Sequence, residues 1–119
     1  MRQSLMAGPK KEVFMSVLLE FSMFPTDKGE SVSAYVSRIL TFIDASGVSY
    51  RLTPMGTIIE TEGLDKALRI VEGAYKCLEA DCKRVYASAK LDIRKGRKGG
   101  LTQKIESVEK QAGKKLKVT

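Results

Sequence analysis

The chain has 119 residues, 43% of them hydrophobic and 29% charged, with a formal net charge of +7 and no histidine. That length is one domain's worth, enough for a single small core. The missing histidine excludes a Ser-His-Asp triad, a His-ligated metal site and an imidazole pH switch, and no apolar run approaches the roughly 20 residues that a membrane-spanning helix needs.

The first fourteen residues, MRQSLMAGPKKEVF, carry early charge and lack the apolar stretch of a secretory signal. Residues 1–12 read as a flexible arm ahead of one domain over 13–113, with a basic tail over 114–119 and a cytoplasmic location as the default. Met15–Pro25 alternates as a strand: Val17, Leu19, Phe21 and Met23 point one way, Leu18, Glu20, Ser22 and Phe24 the other. Apolar Leu18 and Phe24 on the second face imply that another subunit covers it.

PTDKGE (25–30) reads as a loop, with Ser31, or alternatively Ser33, as N-cap of a helix whose stripe is Val32, Val36, Ile39, Leu40 and Ile43. Gly47 supplies the left-handed residue that ends it. Ser49–Thr53 and Thr57–Glu60 are short strands about a Pro54-Met55-Gly56 corner, where proline cannot donate to a ladder and glycine tolerates unusual backbone angles. Alternation puts Thr57 and Ile59 on one face and Ile58 and Glu60 on the other. An ordinary hairpin with polar edges and a ligand-binding corner both fit this stretch.

A second helix from about Leu64 carries the stripe Leu64, Ala67, Leu68, Val71, Tyr75 and Leu78, interrupted by Gly73. Cys77 and Cys82, five apart, make a poor metal pair and a poor disulfide. Lys83–Arg94 is the last strand, with Val85, Ala87, Ala89, Leu91 and Ile93 expected on the inner face, where the small alanines let helices come close. KGRKGG (95–100) breaks structure, and Leu101–Gln111 forms a third helix with the narrow stripe Leu101, Ile105 and Val108, suited to docking on a limited surface. Between Arg94 and Thr119 nine Lys or Arg face two Glu, so the rest of the chain is neutral and the basicity belongs to the tail. With no RNP-like or GXXG motif, a nucleic-acid partner is not expected.

The order β-α-β-β-α-β with an appended helix is that of an α+β, ferredoxin-like split βαβ fold, two helices crossing one face of an antiparallel sheet. Within it, LEFSMFP, SVSAYV, SYRLTPMGTIIE and KLDIRKG followed by KIESVE resemble the small thiamine-binding protein family, related to the YkoF-type hydroxymethylpyrimidine/thiamine binders. The resemblance spans about 90 residues, and PMGTxxE in its strand context is its most specific part. It implies sheet-to-sheet dimers that pair into tetramers, and non-catalytic binding of thiamine or its pyrimidine moiety, with no other cofactor.

Carried over by position, the resemblance points to Glu20, Ser22, Ser33, Met55, Gly56, Thr57 and Glu60 as ligand-binding residues, with Ser31, Tyr35 and Arg94 as further motif positions. The sequence departs from the family pattern at Thr61, where glycine is common, and at Ile93, where an acid is frequent. The chemistry is complementary: hydroxyls and a carboxylate (Thr57, Ser33, Glu60) suit the edge of an aminopyrimidine, soft or flat groups (Met55, Phe24) its faces, and a fixed thiazolium charge suits a carboxylate or an aromatic ring. Each residue also has a plain structural role open to it, as a cap, an ion pair or a subunit contact. The alternative function is a structural or regulatory homo-oligomer with no pocket. An acylphosphatase-like enzyme would need an arginine-bearing phosphate loop, which PTDKGE lacks, so no enzymatic activity is expected.

Overall fold

A computed structural model describes residues 15–118, and the expected arm over residues 1–12 lies outside the described residues. Seven elements follow one another: β1 (Met15–Pro25), α1 (Ser33–Ala45), β2 (Ser49–Thr53), β3 (Gly56–Thr61), α2 (Leu64–Lys76), β4 (Val85–Lys95) and α3 (Gly100–Ala112). The strands lie in the order β2-β3-β1-β4 with every neighbouring pair antiparallel. This is the expected ferredoxin-like arrangement with an added C-terminal helix.

Strand alternation decides where the core sits. Val17, Leu19, Phe21 and Met23 of β1 and Ile59 of β3 are buried against Ile39 and Ile43 of α1 and Ala67, Ile70 and Ala74 of α2. The other row of β1 keeps Leu18, Ser22 and Phe24 half-buried and Glu20 exposed. Between α1 and the turn after α2, Arg38 donates to both carboxylate oxygens of Asp81 at 2.9 and 3.0 Å and lies 4.7 Å from the Tyr35 ring centroid. That brace accounts for Tyr35 structurally.

The corner between β2 and β3 is a two-residue turn over Pro54 and Met55. Thr53 fixes it, its hydroxyl donating to the Gly56 carbonyl at 2.8 Å and accepting from the Met55 amide at 3.2 Å. Gly56 is needed for proximity, not for an unusual φ: a Cβ there would stand 2.9 Å from the Phe21 carbonyl oxygen of β1. Backbone in mid-sheet cannot step aside, so Gly56→Ala should cost about 1–2 kcal/mol of stability, read as a lower urea midpoint.

Three expectations are corrected. Neither Ser31 nor Ser33 caps α1: the N-cap is Val32, without a side-chain bond, and Ser33 is the first helical residue. The buried face of α2 is made of Ala67, Ile70 and Ala74, while Leu64, Leu68 and Tyr75 stay 38%, 50% and 40% exposed. Small residues allow closer approach to the sheet and to α1, whose Phe42 ring lies directly over Gly73, so the larger side chains are turned to the flank. The helices pack over β1 and β3, leaving the inner row of β4 exposed from Ala87 to Ile93. The third helix docks on a limited surface, as expected: α3 lies outside the layer of α1 and α2, and its first turn meets Glu60 on the opposite side of the sheet.

Candidate functional site

The sheet separates the expected ligand-binding residues into groups. Glu20, Ser22, Gly56 and Glu60 belong to the row facing away from α1 and α2, as pairing of Leu18 with Glu60 and Glu20 with Ile58 requires. Thr57 faces the helices and is 3% exposed. Met55 is 90% exposed at the turn, and Ser33 is exposed at the start of α1. Glu60 lies three residues beyond Thr57, about 10 Å along β3, so it stands apart from the corner. Across the same row Glu20 meets Lys90 at 3.7 Å, and Ser22 pairs with Ser88.

Glu60 is the best-supported of these side chains. Its Oε2 accepts from the Ser16 hydroxyl at 2.7 Å and from the Gly100 amide at 2.8 Å, and its Oε1 accepts from the Leu101 amide at 3.3 Å. The first turn of α3 has no local cap, because its N-cap is Gly99 in the left-handed region. A carboxylate from β3 therefore satisfies orphan donors that the helix cannot satisfy itself, and adds negative charge at the positive end of its dipole. Burial pushes the Glu60 carboxyl up, but the Ser16 hydroxyl, the two amides and the nearby Arg97 charge outweigh it and hold the group below its ordinary value.

Arg97 is the residue that sequence reasoning missed. KGRKGG reads as a solvated basic breaker, yet Arg97 is 7% exposed. It donates through Nη1 to Asp92 Oδ2 at 2.9 Å and through Nη2 to the carbonyls of Ser16 and Asp92, both at 3.1 Å. Its Nε is buried without a partner. The bond from Arg97 is the main reason the Asp92 carboxyl is held below its usual range. Left-handed Gly96 and Gly99 turn the chain back so that Arg97 lies beneath the start of α3. No periodicity in the sequence marks such an inward turn.

Beside this cluster is a hollow of about 630 Å³ walled by Val48 and Ser49, by Glu60, Thr61 and Glu62, by Lys66, and by Arg97 and Lys98. Its volume lies within the roughly 300–1,000 Å³ of small-molecule sites. A carboxylate offers about four acceptor positions. Three are used on Glu60, and the remaining one lies on Oε1. The hollow thus offers an acceptor and cationic donors to a small polar guest. Among the described residues no group of three His, Cys, Asp or Glu is placed to hold a metal ion.

A pH dependence follows from the Glu60 contacts. A carboxylate whose folded pKa is lowered contributes stability that is present above its unfolded value, near 4.5, and lost as pH falls through the folded value. Protection of the Gly100 and Leu101 amides from hydrogen exchange should therefore fall as the solution is acidified below that point. Ser16→Ala removes one stabilising donor and should move the onset to higher pH.

The sequence profile described as thiamine-binding protein matches residues 19–109. A UPF0045 protein of Mycobacterium bovis is 33% identical over 96 residues, covering 81% of this chain and 94% of its own length. One from Methanothermobacter thermautotrophicus is 35% identical over 82 residues, covering 68% and 83%. Among solved structures, a hypothetical protein from Methanocaldococcus jannaschii superposes with a TM-score of 0.70 at 31% identity, over 78% of this chain and 95% of that one. A domain of unknown function from Bacillus cereus gives 0.66 at 28% identity, over 76% and 86%.

Proposed function

The chain belongs to the thiamine-binding protein family, and on that premise we propose that it binds thiamine or the hydroxymethylpyrimidine part of it, without transforming it, as a cytoplasmic carrier, buffer or sensor. The observation that carries this reading is the Glu60 carboxylate, kept ionised by internal donors and exposed on one side to a hollow of small-molecule size. An aminopyrimidine presents an amino donor beside ring-nitrogen acceptors. The open position on Glu60 Oε1 takes the amino group, and Lys66, on the wall of the same hollow, serves as a donor for a ring nitrogen or a hydroxyl. The thiazolium charge favours the Glu60 and Glu62 side.

Glu20, Ser22 and Gly56 share the sheet face of Glu60 with half-buried Leu18, Phe24 and Ile58. A second copy laid on this face buries those apolar groups and turns Glu20 and Ser22 into the far wall of the site, in a dimer that pairs into a tetramer. Thr57, buried on the helix side, and Ser33 and Met55, exposed at the start of α1 and at the turn, take no part in the site on this reading. Calorimetric titration with thiamine and with hydroxymethylpyrimidine tests the assignment. Heat and a raised melting temperature support it, and no response at millimolar ligand removes it.

One observation favours the second reading, a structural or regulatory homo-oligomer without a ligand. Ser16, Gly100 and Leu101 take three of the acceptor positions of Glu60, as a carboxylate that serves to anchor α3 requires. A silent titration together with an intact oligomer would select it.

A further inference from the structure

We propose that the far end of α3, together with the lysine-rich segment that folds back on it, is a docking surface for an acidic phospholipid bilayer. The surface is separate from the hollow beside Glu60, and the proposal stands whether or not that hollow takes a guest.

The apolar stripe of α3 is longer than the surface that covers it. Leu101, Ile105, Val108 and Ala112 recur at helical spacing on one side of the helix. Leu101 and Ile105 are half-buried where α3 lies against β1 and β3. Val108 is 50% exposed, and Ala112 is exposed as well. Beyond the helix, left-handed Gly113 turns the chain back, with the Gly113 and Lys114 amides donating to the Glu109 carbonyl at 2.8 and 3.3 Å. The Glu109 carboxylate accepts from the Leu116 amide at 2.7 Å and meets the Lys115 ammonium at 3.8 Å. Leu116 is thereby held beside the last turns that carry Val108, with Val118 two residues on; the two are 37% and 44% exposed.

Charge and side-chain type select the occupant. Lys104, Lys110, Lys114, Lys115 and Lys117 stand in this region against Glu106 and Glu109, and the Glu109 side chain is only 13% exposed where the tail lies over it. Lys110, Lys114 and Lys117 make no ion pair among the described residues. The surface is therefore cationic, with aliphatic groups set among the lysines. A nucleic acid would use the lysines, but between Arg94 and Thr119 there is no aromatic side chain on which a base could stack. It would also leave the bare valines and leucine without a role. A bilayer uses both kinds of group: acidic headgroups draw the ammonium ions, the aliphatic side chains enter the acyl boundary, and the lysine stems reach back to headgroup level. Each lysine near an acidic surface is worth about fivefold in partitioning. That attraction fades with added salt.

Sedimentation of the full chain with lipid vesicles tests the assignment. The protein should pellet with vesicles of phosphatidylcholine and phosphatidylserine mixed three to one, stay in solution with phosphatidylcholine alone, and be released by raised salt. Lys114→Gln combined with Lys117→Gln should lower partitioning about twentyfold. Leu116→Ser combined with Val118→Ser keeps the charge and should lower it about tenfold. The chain contains no tryptophan, so Val118→Trp supplies a single reporter whose emission should shift to the blue on the acidic vesicles only. All these positions are exposed or half-exposed, and circular dichroism checks that each variant is folded. Failure to pellet with the acidic vesicles overturns the proposal, as does equal pelleting with the neutral ones or an unshifted tryptophan. Tighter binding to single-stranded oligouridylate than to vesicles, unaffected by the two serine substitutions, would give the surface to nucleic acid and overturn it too.

Discussion

Replacing Glu60 by glutamine should weaken thiamine binding by about tenfold while loosening the first turn of α3. The glutamine amide nitrogen is a donor, and wherever it points it faces one of three donors already aimed at this group: the Ser16 hydroxyl or the amides of Gly100 and Leu101. Leaving one such donor unsatisfied costs about 1–3 kcal/mol. A hydrogen bond to an ionised group is worth about 1.5–3 kcal/mol, so loss of the charge falls hardest on a cationic guest. Neutral hydroxymethylpyrimidine should lose less affinity than thiamine in the same titration. Equal losses for both would contradict a charge role for Glu60. Faster exchange at Gly100 and Leu101 with unchanged affinity for both ligands would reduce the residue to an anchor for α3.

Gly73→Val should be the most destabilising substitution on the helix layer, by about 2–3 kcal/mol. A Cβ at this position would overlap the Phe42 ring of α1, with Phe42 Cε1 and Cε2 both at 2.8 Å from it. Alanine in place of a mid-helix glycine ordinarily gains about 1 kcal/mol, so the overlap must first cancel that gain. The added γ-methyls of valine leave the ring no room beside α2. Because the cost is a pairwise collision, Phe42→Ala should relieve much of it, and a double-mutant cycle should return a coupling of about 1–2 kcal/mol. Additive effects in the cycle would show that the helices separate freely and that the contact is not limiting. The measurement is urea unfolding of the two single variants and the double variant.

The strands were readable because a period of two is hard to imitate: the bounds of β1 are those that the alternation predicts, and β2 and the Pro54–Met55 turn stand where the breakers put them. What was less readable depended on distance in the chain. The apolar stripe of α2 was read from spacing and rightly took in Ala67, but Ile70 and Ala74 are buried in place of Leu64, Leu68 and Tyr75, where Gly73 lets the Phe42 ring of α1 come close. The inner row of β4 has the alternation of a covered strand, but the helices lie over β1 and β3, and composition does not report where a helix layer ends. At the candidate site, Glu60 was singled out from a motif and a strand position. Its partners come from 44 and 40 residues away, in Ser16 and Gly100, and nothing local encodes them. Arg97 looked like one more basic residue of the tail until the left-handed glycines around it turned it inward.

One carboxylate serves two neighbours, the hollow and the start of the helix that leads into the lysine-rich C-terminal tail. A guest that shares Oε1 of Glu60 with the Leu101 amide alters how firmly that helix is tethered. By reciprocity, whatever grips the tethered arm must change the guest's affinity by the same factor. The C-terminal arm would then act as a built-in gauge of occupancy, legible from outside without touching the guest itself.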